Sequence, residues 1–324
     1  MTVALITGSS GFVGSHLRQS LASSGWTVVG FGRRQLDPRD AEDYVVGDVT
    51  VEDEVCAALE SVRPDVVFHL AAASPQKEAD PAELVRMIVA GTHAVCTALR
   101  RVGLRSRLVL AGSSAQYGAP ISRAQRITEA TPCRPLTSYG HAKAAAESLA
   151  LALSLDGTFE LVPARPFNHI GPGEPPTTVA GSLAARIASI IEGRADRIQV
   201  SNLSTVRDFT DVRDIARGYR ALAERGVPSR PYNLCSGRGM SVGQILDGLL
   251  RAAGLDATIV DVVPSKENGV ARQVGSPVRV RADTGWVAEI AVAASLTDLL
   301  EAARRAVRVA EAVGTSPEGS ARAT

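Results

Sequence analysis

The 324-residue chain has almost no net charge, with 35 Lys and Arg against 34 acids. It therefore lacks the one-signed field that draws nucleic acid or an anionic membrane, and neither is expected as a partner. It also lacks any apolar run approaching the roughly 20 residues that a bilayer span requires. No basic flank precedes the first apolar residues, so no signal peptide is expected and the reading is of a cytoplasmic protein. Cysteine is scarce: Cys56, Cys96, Cys133 and Cys235 stand far apart with no CxxC pair. That scarcity favours reduced thiols over a disulfide framework. The five histidines are equally scattered, with no spacing such as HExxH, so no metal site is expected. There is no internal repeat.

What the chain does have is enough apolar residue, 45%, for a substantial core, and a length that suits two domains or one large domain carrying a lobe. The most informative stretch is Thr7-Gly8-Ser9-Ser10-Gly11-Phe12-Val13-Gly14. It follows an apolar strand, Val3 to Ile6, and opens an amphipathic segment from Ser15 to Leu21. Strand, glycine turn and helix make the first half of a dinucleotide-binding unit. Gly8 permits the turn, Gly11 lets the backbone approach a pyrophosphate, and Gly14 allows close packing of helix on strand. The helix N-terminus then offers free N–H groups and a partial positive charge to phosphates.

Further apolar segments at Val28–Phe31, Tyr44–Val46, Val66–Leu70, Leu108–Ala111 and Leu161–Ala164 alternate with helical patterns. Short strands with little polar alternation belong to a parallel sheet covered on both faces. The clearest helix starts at Asp80-Pro81, an N-cap followed by Pro at the first position, and ends before Gly103. The right-handed crossover rule makes the expected fold class α/β, a Rossmann-type doubly wound parallel sheet with a smaller C-terminal substrate-binding lobe. Pro and Gly crowd residues 166–176, which cannot be a single helix or strand. Helical patterns resume at Leu183–Ile191 and Val242–Ala253, with a strand-like Tyr232–Leu234 between. Residues 1–165 are expected to form the cofactor domain, with 205–235 returning to it. Residues 166–204 and 236–312 form the lobe, and 313–324 a disordered tail.

Tyr139 and Lys143 are four apart on a helical pattern, so both address one bound molecule. A free tyrosine, with a pKa of roughly 10, exchanges protons poorly near neutrality, and a neighbouring ammonium is expected to lower it. Gly112-Ser113-Ser114, at the end of the fifth strand, brings a hydroxyl to the same place.

These motifs resemble those of the extended short-chain dehydrogenases/reductases that act on nucleotide sugars. The resemblance covers about residues 1 to 310. It also rests on Gly47-Asp48-Val49, His69-Leu70-Ala71-Ala72, Ser113 to Gly118, Arg165 to Gly173 and Arg207-Asp208-Phe209. It implies that Ser113, Tyr139 and Lys143 are catalytic, with Ser114 beside the substrate. Gly8, Ser10, Gly11, Phe12 and Val13, with Leu70, Ala71, Ala72 and Pro166, would line the cofactor, and Asp48-Val49 would border its adenine. Asn168 and Arg207 would hold a sugar diphosphate. Within the family, Arg165–Gly173 looks most like the reductases that form GDP-rhamnose. Three departures stand out. Ala115 replaces the acid of the sugar dehydratases, which disfavours dehydration. Ile88 replaces an Asn of the long helix. Lys266 replaces an Arg at the nucleotide diphosphate, with Arg272 as the substitute. The long helix and the Tyr139 helix would pair across a two-fold dimer through Leu84, Ile88, Val95, Leu149 and Leu153.

No acid ends the second strand, where one would grip the ribose of NAD; Arg33 and Arg34 stand there instead and suit a 2′-phosphate. NADP(H) is the expected cofactor. The expected activity is NADPH-dependent reduction of a nucleotide-linked 4-keto-6-deoxyhexose, on GDP or alternatively dTDP. A nucleotide-sugar 4-epimerase is the alternative, and a non-enzymatic NADP-binding sensor the remaining one.

Overall fold

The structure, a computed structural model, describes residues 1–33, 43–72, 80–119, 126–264 and 270–312. Arg34, Lys266 and the expected tail lie outside the described residues. The first half alternates strictly: β1 (Val3–Thr7), α1 (Phe12–Ala22), β2 (Thr27–Gly32), β3 (Tyr44–Val46), α2 (Glu52–Val62) and β4 (Val66–His69). A continuous helix follows in three stretches, α3 (Pro81–Val85), a π-type turn at Arg86–Ala90, and α4 (Gly91–Val102). Then come β5 (Arg107–Ala111), a 3₁₀ turn at Ser114–Tyr117, α5 (Ser138–Leu153) and β6 (Glu160–Pro166). The long helix has the expected ends. The Asp80 carboxylate accepts from the Ala82 N–H at 3.1 Å, and Gly103 closes it in the left-handed conformation.

The second half carries β7 (Asn168–Ile170), α6 (Val179–Ile191), β8 (Ile198–Val200), β9 (Val206–Asp211), α7 (Val212–Arg225) and β10 (Tyr232–Leu234). After these come β11 (Gly239–Ser241), α8 (Val242–Ala253), β12 (Val260–Val262), β13 (Arg272–Gln273), α9 (Val278–Thr284) and α10 (Val292–Ala312).

The main sheet runs β10-β6-β5-β4-β1-β2-β3, all parallel. Strand alternation sends Ala4, Ile6, Phe68 and Val109 into a core beneath α1 and α7, while Leu5, Val67, Leu108 and Leu110 enter one beneath α2 and α4. The order reverses between β1 and β4, so the loops after those strands open a crevice at the switch point, where ligands of such sheets bind. The smaller sheet is β11-β9-β13 with β7 also on β9, and its core lies against α6, α8 and α10. β9 therefore belongs with the lobe strands. The chain re-enters the main sheet through α7 and β10, later than residue 205, and α9 with Trp286 packs there too.

Two expectations about the long helix change. Residues Pro81–Val102 are long and apolar enough to cross a membrane by length and composition, although no such run was expected. More than half of that stretch is buried, and it packs on α2 and α5 as a core helix. Leu84, Ile88 and Val95 are buried within the protomer and cannot form the expected intersubunit stripe. Leu84 and Ile88 pack on Ala142 and Ala146 of α5, and Leu149 and Leu153 are half-buried. Among the solvent-facing positions are Val85 and His93 on the long helix and His141, Ala145 and Ala152 on α5.

Candidate active site

The cofactor end is built almost entirely from backbone. Gly8 takes φ +74°, and a Cβ there would stand 2.9 Å from the Ala71 amide nitrogen. A Cβ on Gly14 would collide with the Gly8 carbonyl, so only glycine lets α1 start this close to β1. Gly11 caps α1 with no side-chain hydrogen bond, and the first turn holds no acid. By contrast α5, α6, α7 and α8 are each closed by a side chain, from Thr137, Thr178, Asp211 and Ser241. The first N–H groups of α1 are thus left for an anion. Thr7 locks the crevice: its hydroxyl accepts from the Ala71 N–H (3.1 Å) and meets His69 Nδ1 at 2.8 Å. Burial holds His69 down at about 3, so the ring stays neutral, and one proton is shared between Thr7 Oγ1 and Nδ1.

The remaining expected cofactor residues are spread over several loops and strand ends. Ser10 is exposed; Phe12 and Val13 are half-buried. Phe12 stacks on His169, with centroids 5.7 Å apart, and His16 donates to the Pro172 carbonyl at 2.9 Å. The glycine turn therefore touches the strand that leads into the lobe. Asp48 accepts from Thr50 N and Oγ1 (2.9 and 2.8 Å). Those bonds, the backbone one foremost, hold its carboxyl below the usual range. Val49 is buried beneath it. Arg33 is exposed immediately after β2. Leu70 and Ala71 are half-buried, Ala72 packs in the cluster that includes Tyr139, and Pro166 ends β6 opposite Leu234.

Ser113, Tyr139 and Lys143 meet where β5 ends. Thr137 caps α5 through the Gly140 N–H (3.1 Å), and a Cβ on Gly140 would lie 2.6 Å from the Ala115 carbonyl. That glycine brings the tyrosine helix onto the Ser113 turn. Lys143 Nζ donates to the Ala111 carbonyl at 2.6 Å and lies 5.9 Å from the centre of the Tyr139 ring. Burial lowers Lys143 to about 8. Burial also raises Tyr139 to about 12, against which the Ser113 hydrogen bond acts. The expected lowering of Tyr139 by Lys143 is not what the structure shows: the ammonium is turned toward Ala111, and desolvation outweighs the bond from Ser113. Ile88 packs in the cluster with Tyr139, Ala142 and Ala146, where an Asn would have placed an amide.

On the lobe side, Asn168 is exposed at the start of β7, whose register on β9 pairs it with Phe209. Alternation puts Asn168, Phe209 and Arg207 on one face. Among the described residues, the Arg207 guanidinium donates to the Val206 carbonyl, at 2.9 Å, and to no other group. Burial lowers its pKa, and no carboxylate pairs with it among the described residues. The registered neighbour of Arg207 is Gln273; Arg272 lies beside Val206 and so leaves from the opposite face. Ser114 is buried, its hydroxyl 3.3 Å from Gln273 Oε1, while Gln273 Nε2 donates to the Ser114 carbonyl at 2.9 Å. Ser114 is thus a peg between the Ser113 turn and the lobe.

Four buried residues at this site carried no expected role. Gln116 caps the Ser113 turn, Glu147 and Arg165 form an ion pair behind it, and Asp208 accepts from the N–H groups of Ser236, Gly237 and Gly275. The signals were present. Ser113-x-x-Gln116 has capping-box spacing, and Glu147 stands four residues beyond Lys143 on the same helix face.

A family model described as the NAD dependent epimerase/dehydratase family matches residues 4–235. The chain belongs to this family. A curated relative, GDP-6-deoxy-D-mannose reductase of Pseudomonas aeruginosa, is 32% identical over 91% of this chain and 95% of its own. The solved structure of RMD from Pseudomonas aeruginosa complexed with NADPH aligns with TM-score 0.85 and 30% identity, over 95% of this chain and all of that one. The UDP-glucose 4-epimerase of Thermus thermophilus, solved with NAD, aligns at TM-score 0.83 and 25% identity, over 94% of this chain and 100% of that one. The family's doubly wound fold and the Ser113, Tyr139 and Lys143 cluster at the end of β5, the strand next to β4, agree with one another.

Proposed function

We propose that this family member is an NADPH-dependent reductase of the 4-keto group of a nucleotide-linked 4-keto-6-deoxyhexose, with GDP as the nucleotide. The observation that carries the reading is the meeting of Ser113, Tyr139 and Lys143 at the end of β5, on the same edge of the parallel sheet as the uncapped N-terminus of α1. Similarity to a GDP-sugar reductase over 91% of the chain favours reduction over epimerisation. So does the absence of an acid at the end of β2. The cradle of Gly8, Gly11 and Gly14 fits a dinucleotide diphosphate, and Arg33 with Arg34 fits a 2′-phosphate. NADPH supplies the hydride that goes to the carbonyl carbon. Ser113 orients the carbonyl oxygen, and Tyr139 gives its phenolic proton to the alkoxide as it forms. Lys143 holds the cofactor ribose once it turns from Ala111. Arg207, a half-buried cation without an acid among the described residues, is matched by a diphosphate, which removes the cost of leaving it unpaired.

The protein is assigned to the cytoplasm, which suits its free thiols, and to a two-fold homodimer. The dimer face consists of Val85 and Val89 of the long helix with Ala145 and Ala152 of α5; light scattering at micromolar concentration should give twice the monomer mass. The activity is tested by mixing the protein with NADPH and GDP-4-keto-6-deoxymannose and following the loss of NADPH absorbance. Stoichiometric oxidation is expected. Tyr139→Phe should lower turnover by about 10²–10⁴ with NADPH affinity unchanged. No oxidation, with interconversion of 4-epimeric nucleotide sugars instead, overturns the reading in favour of an epimerase.

A further inference from the structure

The Ser113 turn is held by an amide that cannot turn round. Gln116 Oε1 accepts from the Ser113 N–H at 2.7 Å, and Ser113 Oγ accepts from the Ala115 N–H at 3.1 Å. The same capping arrangement occurs at Ser241 and Gln244, but Gln244 is exposed and its amide is free to meet water. Gln116 is fully buried, and its Nε2 donates to Glu147 Oε2 at 2.9 Å. Glu147 is fixed in turn by Arg165, which grips both carboxylate oxygens (2.9 and 2.5 Å). Arg165 also donates to the Tyr117 hydroxyl at 2.9 Å, and that hydroxyl donates to Asn233 at 2.7 Å.

An ionised carboxylate only accepts hydrogen bonds, so Glu147 dictates which end of the Gln116 amide faces it. The oxygen is thereby forced toward Ser113. A flipped amide would set an N–H against the Ser113 N–H and another acceptor against Glu147. Glu147 shares α5 with Tyr139, two turns away, so one side chain ties the serine turn and the tyrosine helix to a common reference.

We propose that Gln116 is a positioning residue for the reduction: oriented by the buried Glu147–Arg165 pair, its amide sets the backbone of Ser113 and so the hydroxyl that meets the substrate carbonyl. This rests on the reading of Ser113 as the orienting hydroxyl. Gln116→Met keeps the volume and removes both hydrogen bonds. It should lower kcat by about 10²-fold, the usual loss for a small misplacement of a reacting group, with KM and NADPH affinity unchanged. Hydrogen exchange of the peptide spanning residues 113–117 should speed up while the rest of the core keeps its protection.

Gln116→Glu supplies a sharper signature. While protonated, the introduced carboxyl donates to Glu147 as the amide did; once ionised, it opposes Glu147 across the same gap. Its kcat should therefore fall with rising pH relative to the wild type. The other charged or titratable groups around it, Arg165, Lys143, Tyr117, Cys133 and Glu129, are common to both proteins. Wild-type kcat in Gln116→Met, or a wild-type pH profile in Gln116→Glu, would overturn the proposal. So would a kcat loss matched by lost folded protein in circular dichroism. If the wild type itself does not oxidise NADPH, the functional reading fails, while the exchange measurement still decides whether Gln116 holds Ser113.

Discussion

The two halves of the proposed site offer a ligand different kinds of group. The half built on β1, α1 and β4 presents backbone: three glycines, the first N–H groups of α1 and a threonine that pins neighbouring loops. The lobe built on β7, β9 and β13 presents side chains, Asn168 and Arg207 above all, on strands of two to six residues. Its strands come from distant parts of the chain and are stitched by buried acids. Asp208 receives N–H groups from two separate loops, and Asp211 takes Ser295 from α10 as well as Arg213. Backbone recognition tolerates little change at glycine but asks nothing of distant sequence. Side-chain recognition depends on non-local pairing being right.

This contrast is most directly broken on the lobe side. Arg207→Ala should weaken nucleotide-sugar binding by roughly 2–5 kcal/mol, the cost of removing one partner of a desolvated charge pair, and leave NADPH affinity intact. Calorimetry with GDP, dTDP, UDP and CDP on wild type and variant measures both the effect and the base preference. If the variant binds nucleotide sugar as the wild type does, the lobe does not recognise diphosphate through this cation.

The reciprocal experiment is Arg33→Ala with Arg34→Ala. Each lost charge-assisted contact should weaken NADPH by about 1.5–3 kcal/mol, with NADH and nucleotide-sugar affinity unaffected. A fluorescence titration in which wild type prefers NADH would remove the assignment of the 2′-phosphate. Together the two substitutions should give independent losses, since one acts on each side of the crevice.

A smaller effect concerns stability in the lobe. Burial pushes Glu174 up from its ordinary 4.5 to about 7, and its Oε2 has no hydrogen-bond partner among the described residues. Between those values the folded protein binds a proton that the unfolded chain has released. Stability therefore falls as pH rises through the window, and the full penalty applies above about 7. Glu174→Gln removes the titration and should be more stable than wild type by up to about 3 kcal/mol at alkaline pH. The advantage should disappear below 4.5. Thermal melts that show the same difference at both extremes would contradict this.

The sequence by itself determined the cofactor half. Every strand of the main sheet was legible because βαβ units are local, and apolar runs, glycine turns and caps such as Asp80-Pro81 act within a few residues. Tyr139 with Lys143 was legible for the same reason, being one helical turn. Only the tertiary structure decided what these groups experience. Lys143 turns to Ala111, and Tyr139 is pushed up by burial, because desolvation depends on what the rest of the chain lays over them. It likewise decided that Leu84, Ile88 and Val95 face inward, since helical spacing gives a face without saying what covers it. Of the lobe strands, β12 does sit in an apolar, β-branched run, Ile259–Val263, while β7, β8, β9, β11 and β13 carry little apolar signal, and the register of all of them exists only through partners far along the chain. Gln116, Glu147 and Arg165, separated by 31 and 18 residues, become one device only when α5 packs against the ends of β5 and β6.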